Sequence, residues 1–135
     1  MDTHSEQKDP RPIFSGVAIA ATLSPLLGFY TLMVTHHISR ATKPLEQFIH
    51  SFGYWIPGSL GSGPTGSTGS YSGKEALALL VWFISWVVFH ALWYKKDLSI
   101  KDWLPIFLVG LLVVTLGFVH PVIDPVVLLI LDLWG

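Results

Sequence analysis

The chain has 135 residues, of which 51% are hydrophobic and 13% charged, against roughly 25% charged in an ordinary soluble domain. A net charge of −1 argues against a basic surface built for nucleic acid. The lack of cysteine excludes disulfides and any zinc or iron–sulfur site held by thiolates. The charges fall in short stretches between long uncharged runs, the pattern of a chain whose solvent is hydrocarbon.

Residues 1–11 carry Asp2, Glu6, Lys8, Asp9 and Arg11 without hydrophobic period and read as a polar tail. The first apolar run, Ile13 to Thr35, has no charge over 23 residues. At 1.5 Å per residue it makes roughly 35 Å of helix, enough to cross about 30 Å of hydrocarbon. The span is placed at residues 12–37. Ala18-Ile19-Ala20 has the form of a signal-peptide cleavage site, but the apolar run continues fifteen residues beyond it. Within the span Gly16, Ala20, Ser24 and Gly28 recur every fourth residue. Helices in lipid gain little by burying apolar surface on each other, so close backbone approach through small residues marks a packing face. Pro25 is expected to kink the span and to leave the Ala21 carbonyl in need of a donor.

An outer loop is expected from 38 to 74. Leu45, Phe48, Ile49 and Phe52 stand at i, i+3, i+4 and i+7, with Thr42 as N-cap and Gly53 as stop, giving an amphipathic interfacial helix over 43–52. Tyr54 and Trp55 suit headgroup depth. Residues 58–73 hold six glycines in sixteen positions and read as a flexible loop. Gly73-Lys74 matches the end of a nucleotide phosphate loop, but Thr68 stands where its first glycine belongs and Glu75 where Ser or Thr is needed. No nucleotide is expected.

A second span covers 75–94, stopped by Lys95-Lys96-Asp97, with Trp82, Trp86, Phe89 and Trp93 on one stripe and His90 at its flank. A loop over 95–102 ends in Ser99 and Asp102, a capping-box pattern for a third span at 103–120. His120-Pro121 and Asp124-Pro125 interrupt the apolar pattern, and residues 121–135 are too short to cross alone. They are expected to form a short apolar helix in the interface or against a partner. The fold class is therefore an all-α polytopic membrane protein, one membrane domain over 1–135, with three transmembrane helices, an interfacial amphipathic helix and a short apolar C-terminal helix.

The tail and the second loop carry Lys8, Arg11, Lys95, Lys96 and Lys101, against Arg40, Lys43 and Lys74 in the longer loop. This bias favours an N-terminus on the cytoplasmic or stromal side. It gathers His36, His37, His50, His120 and Asp124 at the other surface, a set that can ligate a transition metal or an outer-side haem. Water at headgroup depth satisfies interfacial histidines equally well. His90, with Trp86 one turn away, is a candidate ligand for haem iron or chlorophyll magnesium, although aromatics near membrane ends usually form the interfacial belt.

The spans hold no Asp, Glu, Lys or Arg at depth, which removes the usual proton relays and ion-pair gates. No hydrolase signature is present, and no enzymatic activity is expected. What remains suits association with other membrane subunits and the bilayer. The expected function is a small accessory subunit of a larger membrane complex, of the kind found in electron transport or photosynthesis. The alternatives are a protein binding haem, chlorophyll or metal through its histidines, and a small oligomeric channel or transporter.

Overall fold

The computed structural model describes residues 14–60 and 69–134. The polar tail at 1–11 and the middle of the Gly/Ser-rich segment lie outside the described residues. Within them the chain is helical, with α1 Ser15–Ala41, α2 Lys43–Ser51, α3 Tyr71–Trp93, α4 Ile100–Gly117 and α5 His120–Trp134. Three of these, α1, α3 and α4, are long and apolar enough to cross a membrane.

Helix α1 runs 27 residues, unbroken through Pro25. Its hydroxyls turn back onto its own carbonyls: Ser24 donates to Ala20 at 2.6 Å, Thr31 to Leu27 at 2.9 Å and Thr35 to Thr31 at 2.7 Å. Such side chains carry their polar groups into hydrocarbon already satisfied. The helix ends four residues later than expected. Thr42 leaves it, at φ −147° and ψ 155°, and its hydroxyl accepts from the Leu45 N–H at 3.4 Å to cap α2. The added turn puts Ser39 and Arg40 on helix.

Helix α3 begins at Tyr71, four residues before the expected start, so Gly73 and Lys74 of the supposed loop are helical. Gly73 explains why: a Cβ there would fall onto the Ile49 carbonyl of α2, so only glycine lets the two helices meet. Helix α4 is shifted three residues toward the N-terminus of its expected range. Ser99 is its N-cap, but the side chain makes no capping bond. The Ser99 carbonyl instead accepts from the Asp102 N–H at 3.1 Å, so the capping box does not form. Phe118 and Val119 separate α4 from α5, which starts at His120 with Pro121 in its first turn, where a missing N–H costs nothing.

Helix α1 packs on both α3 and α4, which form no substantial interface with each other. The Gly16 end of α1 meets Trp93 and the Gly28 level meets Ala78 and Trp82, so α3 is antiparallel to α1. On the other flank Tyr30 donates to the Gly110 carbonyl at 2.9 Å and Ser15 bonds Leu98, so α4 runs parallel to α1. The result is a row with α1 in the middle. Its two broad faces are open: Leu27, Val34 and Ile38 are exposed along one stripe of α1, and Phe29 on another. Among the described residues the buried hydrophobic side chains are few, namely Ile19, Ala20, Leu26, Ile49 and Val114. The C-terminus of α1, α2, the N-terminus of α3, the C-terminus of α4 and the start of α5 all meet at one end of the row, called here the histidine end.

Candidate functional site

The last turn of α1, the first turn of α3, α2 and the start of α5 border an open polar cavity of about 440 Å³ at the histidine end. His36 and Arg40 line it from α1, Glu46 from α2, Tyr71 and Lys74 from α3, and His120 from α5. Lys74 is 3% exposed, with its ammonium 4.6 Å from the centre of the Tyr71 ring. Arg40 reaches Asp124 at 3.7 Å, both half-exposed. The Lys43 ammonium donates to Glu46 at 2.7 Å, and that bond and charge hold the Glu46 carboxyl below the ordinary glutamate range.

Three of the four histidines expected to share a surface, His36, His37 and His120, come together here. His36 and His120 meet Nε2 to Nε2 at 2.9 Å, one ring donating and the other accepting. The His37 ring centroid is 5.6 Å from that of His36 and 5.8 Å from that of His120. His37 Nε2 lies 2.7 Å from the Gly117 carbonyl, which can only accept, so this nitrogen carries hydrogen and its lone pair is withdrawn. Among the described residues no group of three or more His, Cys, Asp or Glu is arranged to hold a metal ion. Asp124 is turned to Arg40 instead. The arrangement ties α1, α4 and α5 together.

His50 stands apart from that cluster. Its Nε2 lies 3.0 Å from the Ser59 hydroxyl and 3.1 Å from the Ser59 carbonyl, and the Ser59 hydroxyl meets that of Ser72 at 2.7 Å. A buried serine against a histidine suggests a nucleophile and its base. The carbonyl decides otherwise: it requires hydrogen on Nε2, which therefore cannot take a proton from Ser59. The network is a clamp that fastens the loop after α2 to the start of α3. It joins residues 9 and 13 positions apart with no regular spacing, so periodicity could not reveal it.

At the opposite end, His90 sits among rings at helical spacing, with Trp86 centred 5.6 Å away and Tyr94 6.2 Å away. His90 Nδ1 is buried and has no hydrogen-bond partner. Toward mid-span, Ala21, Leu79, Trp82, Phe83 and Trp86 border an apolar hollow of about 500 Å³. Phe89 and Trp93 stack at 4.7 Å, 10° from parallel. Of the whole of α3, only Ser72, Gly73 and Lys74 are buried.

The four small residues of α1 are all buried along its contact with α3. Ala20 and Ser24 have no exposed surface, and a Cβ on Gly28 would stand 3.1 Å from the Ala78 carbonyl. Comparison with known protein families, with curated proteins and with solved structures gave no match.

Proposed function

We propose that this protein is a small accessory subunit that associates laterally with other membrane proteins. The observation that carries the reading is the open row: α1 takes up the packing of both neighbours, and from Glu75 to Trp93 no residue of α3 is buried. Exposed Leu, Val or Phe is satisfied by lipid alone. The large rings of Trp82, Trp86 and Tyr94, exposed along α3 and at its C-cap, offer a shaped surface to a neighbouring helix. The N-terminus faces the cytoplasm or stroma in this reading, supported by the lysine bias of the tail and the α3–α4 turn. Native electrophoresis in mild detergent, followed by mass spectrometry of the band, tests it. A complex with defined partner subunits that is lost on replacing Trp86 and His90 by leucine is the expected result. A monomer with no partner in every mild detergent sinks the proposal.

A second reading rests on the apolar hollow beside Trp82 and Trp86 with His90 one turn beyond it. A haem or chlorophyll seated there would make the chain a cofactor-bearing subunit of an electron-transport or photosynthetic membrane. An absorption spectrum of the purified protein without a Soret or Qy band removes this reading and leaves the first intact.

A further inference from the structure

We propose that the polar cavity at the histidine end binds the phosphodiester headgroup of an anionic glycerophospholipid, with an acyl chain laid along the α1–α3 seam. Lys74 stands in this cavity's wall, on the first turn of α3. Among the described residues its ammonium has no carboxylate partner and no hydrogen-bond acceptor, only the face of Tyr71. The residue is 97% buried and borders the cavity. Its ammonium is not among the fully enclosed polar atoms and so opens on the cavity, where a ligand that supplies anionic oxygens would give it acceptors.

The other charges around the cavity do not supply that acceptor. Glu46 is engaged by Lys43 at 2.7 Å, and Asp124 lies beside Arg40 at 3.7 Å. Each of these carboxylates is bonded to another cation, and neither forms an ion pair with Lys74. Arg40 adds further donors on the same wall. The donor set suits a phosphate: one ammonium and one guanidinium.

The second half of the site fixes the source of that phosphate. An apolar groove of about 410 Å³ lies between α1 and α3, lined by Pro25, Phe29 and Leu32 on one side and Ala78, Leu79 and Trp82 on the other. Leu32 is one helical turn from His36, and Glu75 at the groove's upper rim is one turn from Tyr71. The apolar groove thus leads up to the polar cavity along the same pair of helices. A free phosphate or a nucleotide uses only the upper half. A phospholipid uses both, with its phosphate at the membrane surface where Arg40 and Lys74 stand and its chain in hydrocarbon. Glu75, at the junction, disfavours a second negative charge deeper in the groove.

The test uses the full chain, purified and delipidated in mild detergent, and native mass spectrometry with added lipid. Dioleoyl phosphatidylglycerol is expected to bind about tenfold more tightly than dioleoyl phosphatidylcholine, roughly the effect of one charge-assisted contact. Dihexanoyl phosphatidylglycerol is expected to bind far more weakly, since it leaves the groove unfilled. Lys74→Gln is expected to abolish the preference for phosphatidylglycerol, and Lys74→Arg to keep it. Equal binding of the two dioleoyl lipids to the wild-type chain overturns the proposal, and this comparison needs no variant to fold. Displacement of bound phosphatidylglycerol by millimolar inorganic phosphate, or indifference to chain length, also overturns it, by making the cavity a free-anion site. These outcomes are independent of whether partner subunits copurify.

Discussion

The Tyr30 hydroxyl donates to the Gly110 carbonyl at 2.9 Å, a side chain of one span bonded to the backbone of the next in the middle of the α1–α4 contact. That carbonyl belongs to a helix interior and already has its own helical partner to serve, so the phenol takes its second lone pair. The glycine is what lets Leu26 approach beside it: a Cβ at 110 would come within 2.8 Å of the Leu26 side chain, while the Tyr30 ring would stay at ordinary contact distance.

Tyr30→Phe removes this bond and nothing else. The expected loss is about 1 kcal/mol, in the range of interhelical hydrogen bonds in membranes. Reversible unfolding in mixed detergent micelles measures it. A loss above about 3 kcal/mol shows that the hydroxyl does more than a single hydrogen bond accounts for.

Gly16→Val tests the closest part of the α1–α3 contact. Any Cβ at 16 collides with the Trp93 carbonyl, and the Gly16 N–H is itself bonded to the Lys96 carbonyl at 3.0 Å. The backbone must move, at a cost of about 1–3 kcal/mol. Val17→Leu, at a neighbouring exposed position, is expected to leave the unfolding midpoint unchanged.

His120→Ala should release α5. Its anchors to α1 among the described residues are the His36–His120 bond and the Arg40–Asp124 pair. The exposed pair contributes at most about 1 kcal/mol. Because the chain has no cysteine, spin labels at Ile38→Cys and Leu129→Cys report the distance between the two helices directly. The distribution is expected to broaden with His120→Ala and to stay narrow with Asp124→Asn.

The Glu46 carboxyl is held low by Lys43, so its contribution to α2 is complete above the ordinary glutamate value and is lost only as pH falls through the depressed one. Carbon-13 NMR of labelled glutamate is expected to show this group titrating upward, toward the ordinary value, in Lys43→Gln. An unchanged titration shows that Lys43 is not the cause.

The number and order of the spans could be read from hydropathy because a bilayer imposes one length on every crossing. The seam of α1 against α3 was visible as small residues at period four. The helix ends were less legible. Tyr71 to Lys74 looked like loop because Ser72 and Gly73 continue the Gly/Ser-rich composition before them, and only the approach of Ile49 shows why a glycine belongs in that turn. His36 and His120 were grouped by topology, but which histidines touch depends on how α5 turns after Val119, and no periodic signal encodes that. Lys74 was counted as a loop charge. Its burial follows from α2 lying across the start of α3, a tertiary fact with no local trace.

One clasp described above also sets a clock for biosynthesis. Ser15 opens α1, yet its hydroxyl bonds Asp97, 82 positions later, at 2.8 Å, and accepts from the Leu98 N–H at 2.7 Å. At about 5–20 residues per second, a ribosome needs roughly 4–16 s to make the stretch between them. Throughout that interval the first span is inserted without its closing contacts. The small-residue stripe that will receive α3 is exposed to whatever helices are near. A nascent chain of this kind is most open to pairing with a foreign helix before its own second span exists, and release of the α3–α4 turn ends that window.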